Sequence, residues 1–203
     1  MTTRFEIMPV TLEGRWVRLE PLAERHAAEL AQVGLDAEIW RYMLYGDIAA
    51  PADLLAWVRE MLRRQEEGGD LPFAVIERSE GRAIGATRYL NINPEARALE
   101  VGGTWYGRAY QGTAVNPESK YLLLRHAFET LGCVRVQLKT DSLNLRSQRA
   151  IAKLGATQEG VLRNHMILPD GRLRHSVIYS ILPEEWPAVR AGLQARLAAI
   201  AAG

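Results

Sequence analysis

A single cysteine among 203 residues rules out a disulfide within the chain. Cys133 follows Gly132 at a junction between apolar residues, with no base signature beside it, and reads as a small buried filler rather than a nucleophile. Charge of one sign is also lacking. The 25 lysines and arginines face 24 acidic residues, and the arginines are dispersed, so nothing argues for a nucleic-acid partner. No stretch approaches the roughly eighteen uncharged apolar residues of a membrane span. The N-terminus carries Glu6 and Glu13 and lacks a positive-then-apolar leader pattern, which predicts a retained N-terminus and a cytoplasmic protein. His26, His165 and His175 show no metal-ligand spacing, and no metal is expected. Internal repeats, low-complexity tracts and the repeated glycine fingerprint of a dinucleotide fold are all missing.

What is present suits a globular chain: 48% apolar and 24% charged residues over a length that buries a substantial core. Trp16–Pro21 alternates as a strand, Ala23–Val33 repeats Ala27 and Leu30 on one helical face, and Pro51–Gln65 carries the stripe Leu54, Trp57, Val58, Met61. Pro72–Arg78 and Ala83–Leu90 form a hairpin across Ser79-Glu80-Gly81, and Ala98–Tyr106 is a further strand in which Gly102-Gly103 predicts a bulge or a close backbone approach. A helix from Pro117, capped by Asn116, precedes the β-branched strand Val134–Thr140, a helix from Asn144 to Leu154, and the hairpin strands Gly160–Leu168 and Leu173–Leu182. Residues 1–182 are read as one domain. Residues 183–203 are read as an amphipathic helix packed on that domain or on a partner, with a homodimer as one possibility. The order predicts a mixed α/β sheet covered by helices.

Leu99–Ala156 is the most informative stretch, because it holds two helix starts of different kinds. Gln111-Gly112-Thr113-Ala114-Val115-Asn116 is a glycine-containing loop running into a helix, where backbone N–H groups and the helix's positive end would hold a phosphate-bearing ligand. Asn144-Leu145-Arg146-Ser147 opens the second helix, which stops at Gly155.

This stretch resembles the acyl-coenzyme-A-binding half of the GCN5-related N-acetyltransferases (GNAT), and within them the ribosomal-protein alanine and serine N-terminal acetyltransferases. Gly14–Pro21 resembles that branch's opening strand, Phe73–Ile76 with Gly81–Gly85 its central hairpin, Asn144–Ala156 its Asn-x-x-Ser helix, and Glu159–Arg163 the strand after it. The resemblance implies a central, mostly antiparallel sheet in which two parallel strands, Ala98–Tyr106 and Val134–Thr140, splay apart. It implies acetyl-CoA in the gap, with pantetheine against Thr104, Trp105 and Tyr106 and pyrophosphate over Gln111, Gly112, Thr113, Ala114, Val115 and Asn116. Asn144 and Ser147 are implied as further coenzyme contacts. Two positions depart from the family pattern: Ala114 and Asn116 replace smaller loop residues, and Ile151 stands where many members carry a tyrosine that protonates the departing thiolate.

The implied reaction is acetyl transfer to a primary amine by direct attack, with a peptide or protein N-terminus favoured and a free amino acid or small amine as the alternative. A coenzyme-binding protein without chemistry is the third reading. Backbone N–H groups around Tyr106 would polarise the carbonyl, Glu100 would take the amine's proton through a water, and Ser147 would touch the sulfur. Trp40, Tyr42, Tyr89, Asn91 and His165 are the candidates for the acceptor side.

Overall fold

In the computed structural model, which describes residues 5–202, one eight-stranded sheet runs through the molecule in the order β1-β2-β3-β4-β5-β6-β8-β7. The strands are β1 Leu12–Glu13, β2 Val17–Pro21, β3 Leu71–Glu77, β4 Arg82–Asn93, β5 Ala98–Tyr106, β6 Arg135–Asp141, β7 Thr157–Ile167 and β8 Leu173–Ile181. Every pairing is antiparallel except β5 with β6. The helices are α1 Ala27–Gly34, α2 Ala37–Trp40, α3 Pro51–Glu66, α4 Val115–Arg125, α5 Leu145–Ala152 and α6 Trp186–Ala202. The two-residue β1 and the one-turn α2 are absent from the sequence reading, because neither is long enough to show a period.

The sheet has a core on each face. On one, α1 and α3 cover Ala74, Ile76, Ala86 and Trp105 with Leu30, Leu54, Trp57 and Met61. On the other lie Phe73, Val75, Tyr89, Val101 and Leu138, packed with Leu122, Leu123 and Ala127 of the α4 segment. Helix α6 packs on the same chain: the Trp186 ring stacks on Phe128 at 5.5 Å, its Nε1 donates to Glu129, and Gln194 donates to the Tyr121 hydroxyl. After α4 the backbone widens into a π-turn over His126–Thr130, where Leu131 N–H reaches back to the His126 carbonyl, and Gly132 ends it at φ 67°.

The decisive feature is how little β5 and β6 share. They pair only across Ala98–Glu100 and Arg135–Gln137, after which β5 stays bonded to β4 and β6 to β8. The β4–β5 register slips between Ala86 and Arg88, placing the extra residue of β5 at the glycine pair as the sequence predicts. Gly103 takes φ 56°, and a Cβ there would stand 2.8 Å from Arg88 Nε, so both conformation and space require glycine. From Val101 and Leu138 onward the two parallel strands diverge, leaving a wedge in the middle of the sheet.

Candidate active site

The wedge opens into a cleft of about 1010 Å³, at the upper end of the range for ligand pockets. Its edge is unused backbone. Gly107 N–H donates to Ile84 on β4, so by strand alternation the preceding Tyr106 turns its N–H and carbonyl toward the gap. The Tyr106 carbonyl accepts from Gln111 Nε2 at 2.9 Å, and Gln111 Oε1 accepts from Arg146 at 2.6 Å, so one glutamine ties the end of β5 to the start of α5.

The phosphate-loop segment follows. Gly112 stands at φ 84° with open space where a Cβ would be. Thr113 Oγ1 donates to the Tyr110 carbonyl at 2.7 Å and accepts from Val115 N–H at 3.3 Å. The expected cap is therefore corrected: α4 starts at Val115, so Asn116 lies inside the first turn and Pro117 after it, where a missing N–H breaks no helix bond. Asn116 instead accepts from the Tyr106 hydroxyl at 3.3 Å. Ala114 and Val115 are buried and do not line the cleft, which Gly112, Thr113 and Asn116 do. Asn144 caps α5 as the sequence predicts, its Oδ1 accepting from Ser147 N–H at 3.0 Å, and Asn144, Ser147 and Ile151 all line the cleft.

A residue missing from the sequence reading stands in the cleft floor. Lys120 is 7% exposed, its Nζ donates to Thr104 Oγ1 at 2.6 Å, and among the described residues it has no carboxylate partner. Thr104 Oγ1 in turn shares a hydrogen bond with Thr87. Burial without an anion brings the Lys120 ammonium down from the usual lysine range to about 7. The signal was available in the helical period: Asn116, Lys120 and Leu124 fall four residues apart, so the lysine occupies the inward stripe.

Across the wedge, Glu100 is 3% exposed and its Oε2 is taken three times: by Asn91 Nδ2 at 2.9 Å, Gln137 Nε2 at 3.0 Å and Lys139 Nζ at 3.2 Å. Oε1 has no partner among the described residues and is not sealed off. His165 shares Ser176 Oγ with Arg174: His165 Nδ1 lies 3.0 Å from it, and Arg174 Nε donates to it at 3.2 Å. Desolvation first, then the charges of Lys139 and Arg174, lower the His165 pKa, so the ring is neutral around pH 7. Tyr42 lines the cleft and its carbonyl accepts from Arg174 Nη1 at 3.3 Å.

Two acceptor candidates are corrected. Trp40 is 4% exposed in an aromatic cluster with Trp57 and Trp105, its Nε1 donating to the Gly34 carbonyl at 2.6 Å. Tyr89 is fully buried on the α4 face, its hydroxyl donating to the Leu123 carbonyl at 2.6 Å. Both fill the core rather than the cleft. The indole of Trp105 also sits in that cluster, and by the same strand alternation its backbone N–H and carbonyl turn toward Ala86 on β4 rather than the gap.

The family description of the acetyltransferase (GNAT) domain matches residues 17–157, well over half of the sequence. The chain belongs to the GNAT acetyltransferases. A curated relative of this acetyltransferase, "Probable N-acetyltransferase YjcK" of Bacillus subtilis (strain 168), is 24% identical over 63% of this chain and 71% of its own. A solved "putative acetyltransferase from T. thermophilus" is 41% identical, with a TM-score of 0.86 over 95% of this chain and 99% of that one. A GCN5-related N-acetyltransferase from Brucella melitensis is 29% identical, with a TM-score of 0.87 over 94% and 86%. Mycobacterium smegmatis RimJ, solved in complex with CoA-disulfide, shares the fold at 21% identity and a TM-score of 0.79, over 93% of this chain and 95% of that one. Among the described residues no three His, Cys, Asp or Glu side chains could hold a metal ion together, and no helix is long and apolar enough to cross a membrane.

Proposed function

We propose that this acetyltransferase moves an acetyl group from acetyl-CoA to a primary amine by direct attack within a ternary complex. The observation that carries the reading is the wedge, where β5 and β6 end their pairing at Glu100 and Gln137 and leave the Tyr106 N–H without a strand partner on that side. The residues present fit the coenzyme: a free strand edge for the amides of pantetheine, and the α4 N-terminus with Gly112 open for a diphosphate. When bound, acetyl-CoA supplies an activated acyl group on a sulfur that can leave. Gln111, Thr113, Asn144 and Ser147 line its path, and Gly112 and Asn116 at the helix entry would meet the phosphates.

The chain's own groups then divide the work. The Tyr106 N–H stabilises negative charge on the carbonyl oxygen. Glu100, its Oε2 fixed by three donors, has Oε1 left to accept the amine's proton through a water. Lys120 Nζ, which exchanges its proton near neutrality, supplies the proton at the coenzyme end, the role for which Ile151 has no atom. A peptide or protein N-terminus is the acceptor that the resemblance to the ribosomal-protein branch supports. A free amino acid is the second reading, favoured by the guanidinium of Arg174 in the acceptor wall.

Thiol release from acetyl-CoA against Ala-, Ser- and Thr-starting peptides, free amino acids and simple amines tests the reading. Acceptor-dependent release is expected, reduced by about a hundredfold in E100Q. Release unchanged in E100Q removes Glu100 from the proton path, and no release with any acceptor overturns the reading.

A further inference from the structure

We propose that Arg174 binds a carboxylate of the acceptor, so that the amine acetylated here carries an anion beside it. That anion is either the α-carboxylate of a free amino acid or an acidic side chain next to a peptide N-terminus. The proposal rests on the acetyl-transfer reading for the place of the acceptor and extends it to the acceptor's chemistry.

Two neighbouring cations are neutralised, Lys139 in the wall and Arg172 just behind it. Lys139 pairs with Glu100 at 3.2 Å and Arg172 with Asp141 at 2.7 Å. Arg174, 7% exposed, has no carboxylate partner among the described residues. Its Nε and Nη1 are held by Ser176 Oγ and the Tyr42 carbonyl, neutral acceptors that fix the plane of the fork without cancelling its charge. Among the described residues Nη2 has no partner, and it is not sealed from the cleft. An oriented, desolvated guanidinium with Nη2 free can donate to a carboxylate and meet its charge. The neighbouring His165 is neutral and offers it no anion. The wall's surplus positive charge also has a consequence for the acceptor. A protonated amine alone is repelled there, whereas one that brings its own carboxylate is held, with its ammonium in a field that favours losing the proton.

The rival role, a staple between β8 and the Tyr42 segment, predicts a change in thermal stability but none in the ranking of acceptors. The experiment therefore reads a ratio. Thiol-release kinetics compare free L-amino acids with their carboxamides, and a Ser-Asp with a Ser-Asn peptide amide, in wild type, R174M and R174K. Thermal shifts with CoA present record binding of the same compounds without turnover. The acid is expected to exceed its neutral match by about 30-fold in kcat/KM. The arm that shows it tells which source of carboxylate is used. R174M should bring the ratio to within a factor of about three, and R174K should keep part of it, since a point charge replaces the fork. Equal rates for acid and amide in wild type, or a ratio unchanged in R174M, overturn the proposal. If none of these amines is turned over, the transfer reading fails for them and the thermal shifts decide on Arg174. Stabilisation by the acids that R174M abolishes supports the site, and its absence overturns it. Should R174M not fold, R174K alone carries the comparison.

Discussion

Two charges on α4, Glu118 and Lys120, stand two residues apart and are both almost fully buried, at 4% and 7% exposure. They face different regions and meet opposite fates. Glu118 points to the start of the chain, where its oxygens accept the N–H groups of Arg15, Trp16 and Val17, each at 2.7 Å. That carboxylate is saturated and ties β2 to α4. Lys120 points to the wedge and, among the described residues, has one neutral acceptor, Thr104. A buried charge with every bond made belongs to the architecture, whereas one left short of partners beside a cleft costs stability that the fold alone does not repay. The contrast extends across the wedge, where Lys139 and Arg172 are paired and Arg174 has no carboxylate among the described residues.

E118A should show the contrast at its strongest. Three backbone N–H groups lose their acceptor, and a loss of about 3 kcal/mol or more is expected, roughly 10 °C in the melting temperature by calorimetry. A melting temperature unchanged in E118A would erase the distinction between the two charges.

K120M should behave in the opposite sense, with turnover down by about a hundredfold in thiol release while stability rises. The sign follows from the lowered ammonium pKa. Folding costs Lys120 nothing above its unfolded pKa near 10.5, and the cost grows as pH falls from there to about 7 and is constant below. The stability gained by K120M should therefore be a few kcal/mol at pH 7 and below and vanish above about pH 10.5. In the wild type, the turnover limb that needs a protonated Lys120 falls as pH rises through about 7, and this limb should disappear in the variant. A destabilised K120M would place Lys120 with Glu118 among the structural groups.

A smaller effect refines the assignment. Adding I151Y to K120M puts a hydroxyl in the cleft wall at the position where the family often carries one, and should recover about tenfold of the lost turnover. Recovery in the double variant, with little change from I151Y alone, would show that the two positions serve one proton transfer. No recovery would separate them.

Much of this was legible along the chain, for reasons that act over a few residues. The boundaries of β5 at Ala98 and Tyr106, the bulge at Gly102-Gly103 and the Asn144 cap are local decisions of period, conformational freedom and capping. Errors came where a side chain's direction depends on what packs above it. Tyr89 and Asn91 share strand parity, yet Tyr89 enters the α4 core while Asn91, bent to φ 50°, reaches Glu100. Trp40 had the composition of an acceptor wall and became core, because α1 and α3 close over it. Asn116 had the chemistry of a cap, but the helix began one residue before it.

All but the shortest elements, their order and the family follow from the chain alone, because apolar period, turn residues and helix starts are written in neighbouring positions. Which charges are satisfied follows only from the packed molecule. Glu118 finds its donors about a hundred residues away, Glu100 meets Lys139 from the neighbouring strand, and Lys120 and Arg174 are left without carboxylates among the described residues. The energy of a buried charge depends on every group that packs around it, and no window of sequence contains them all.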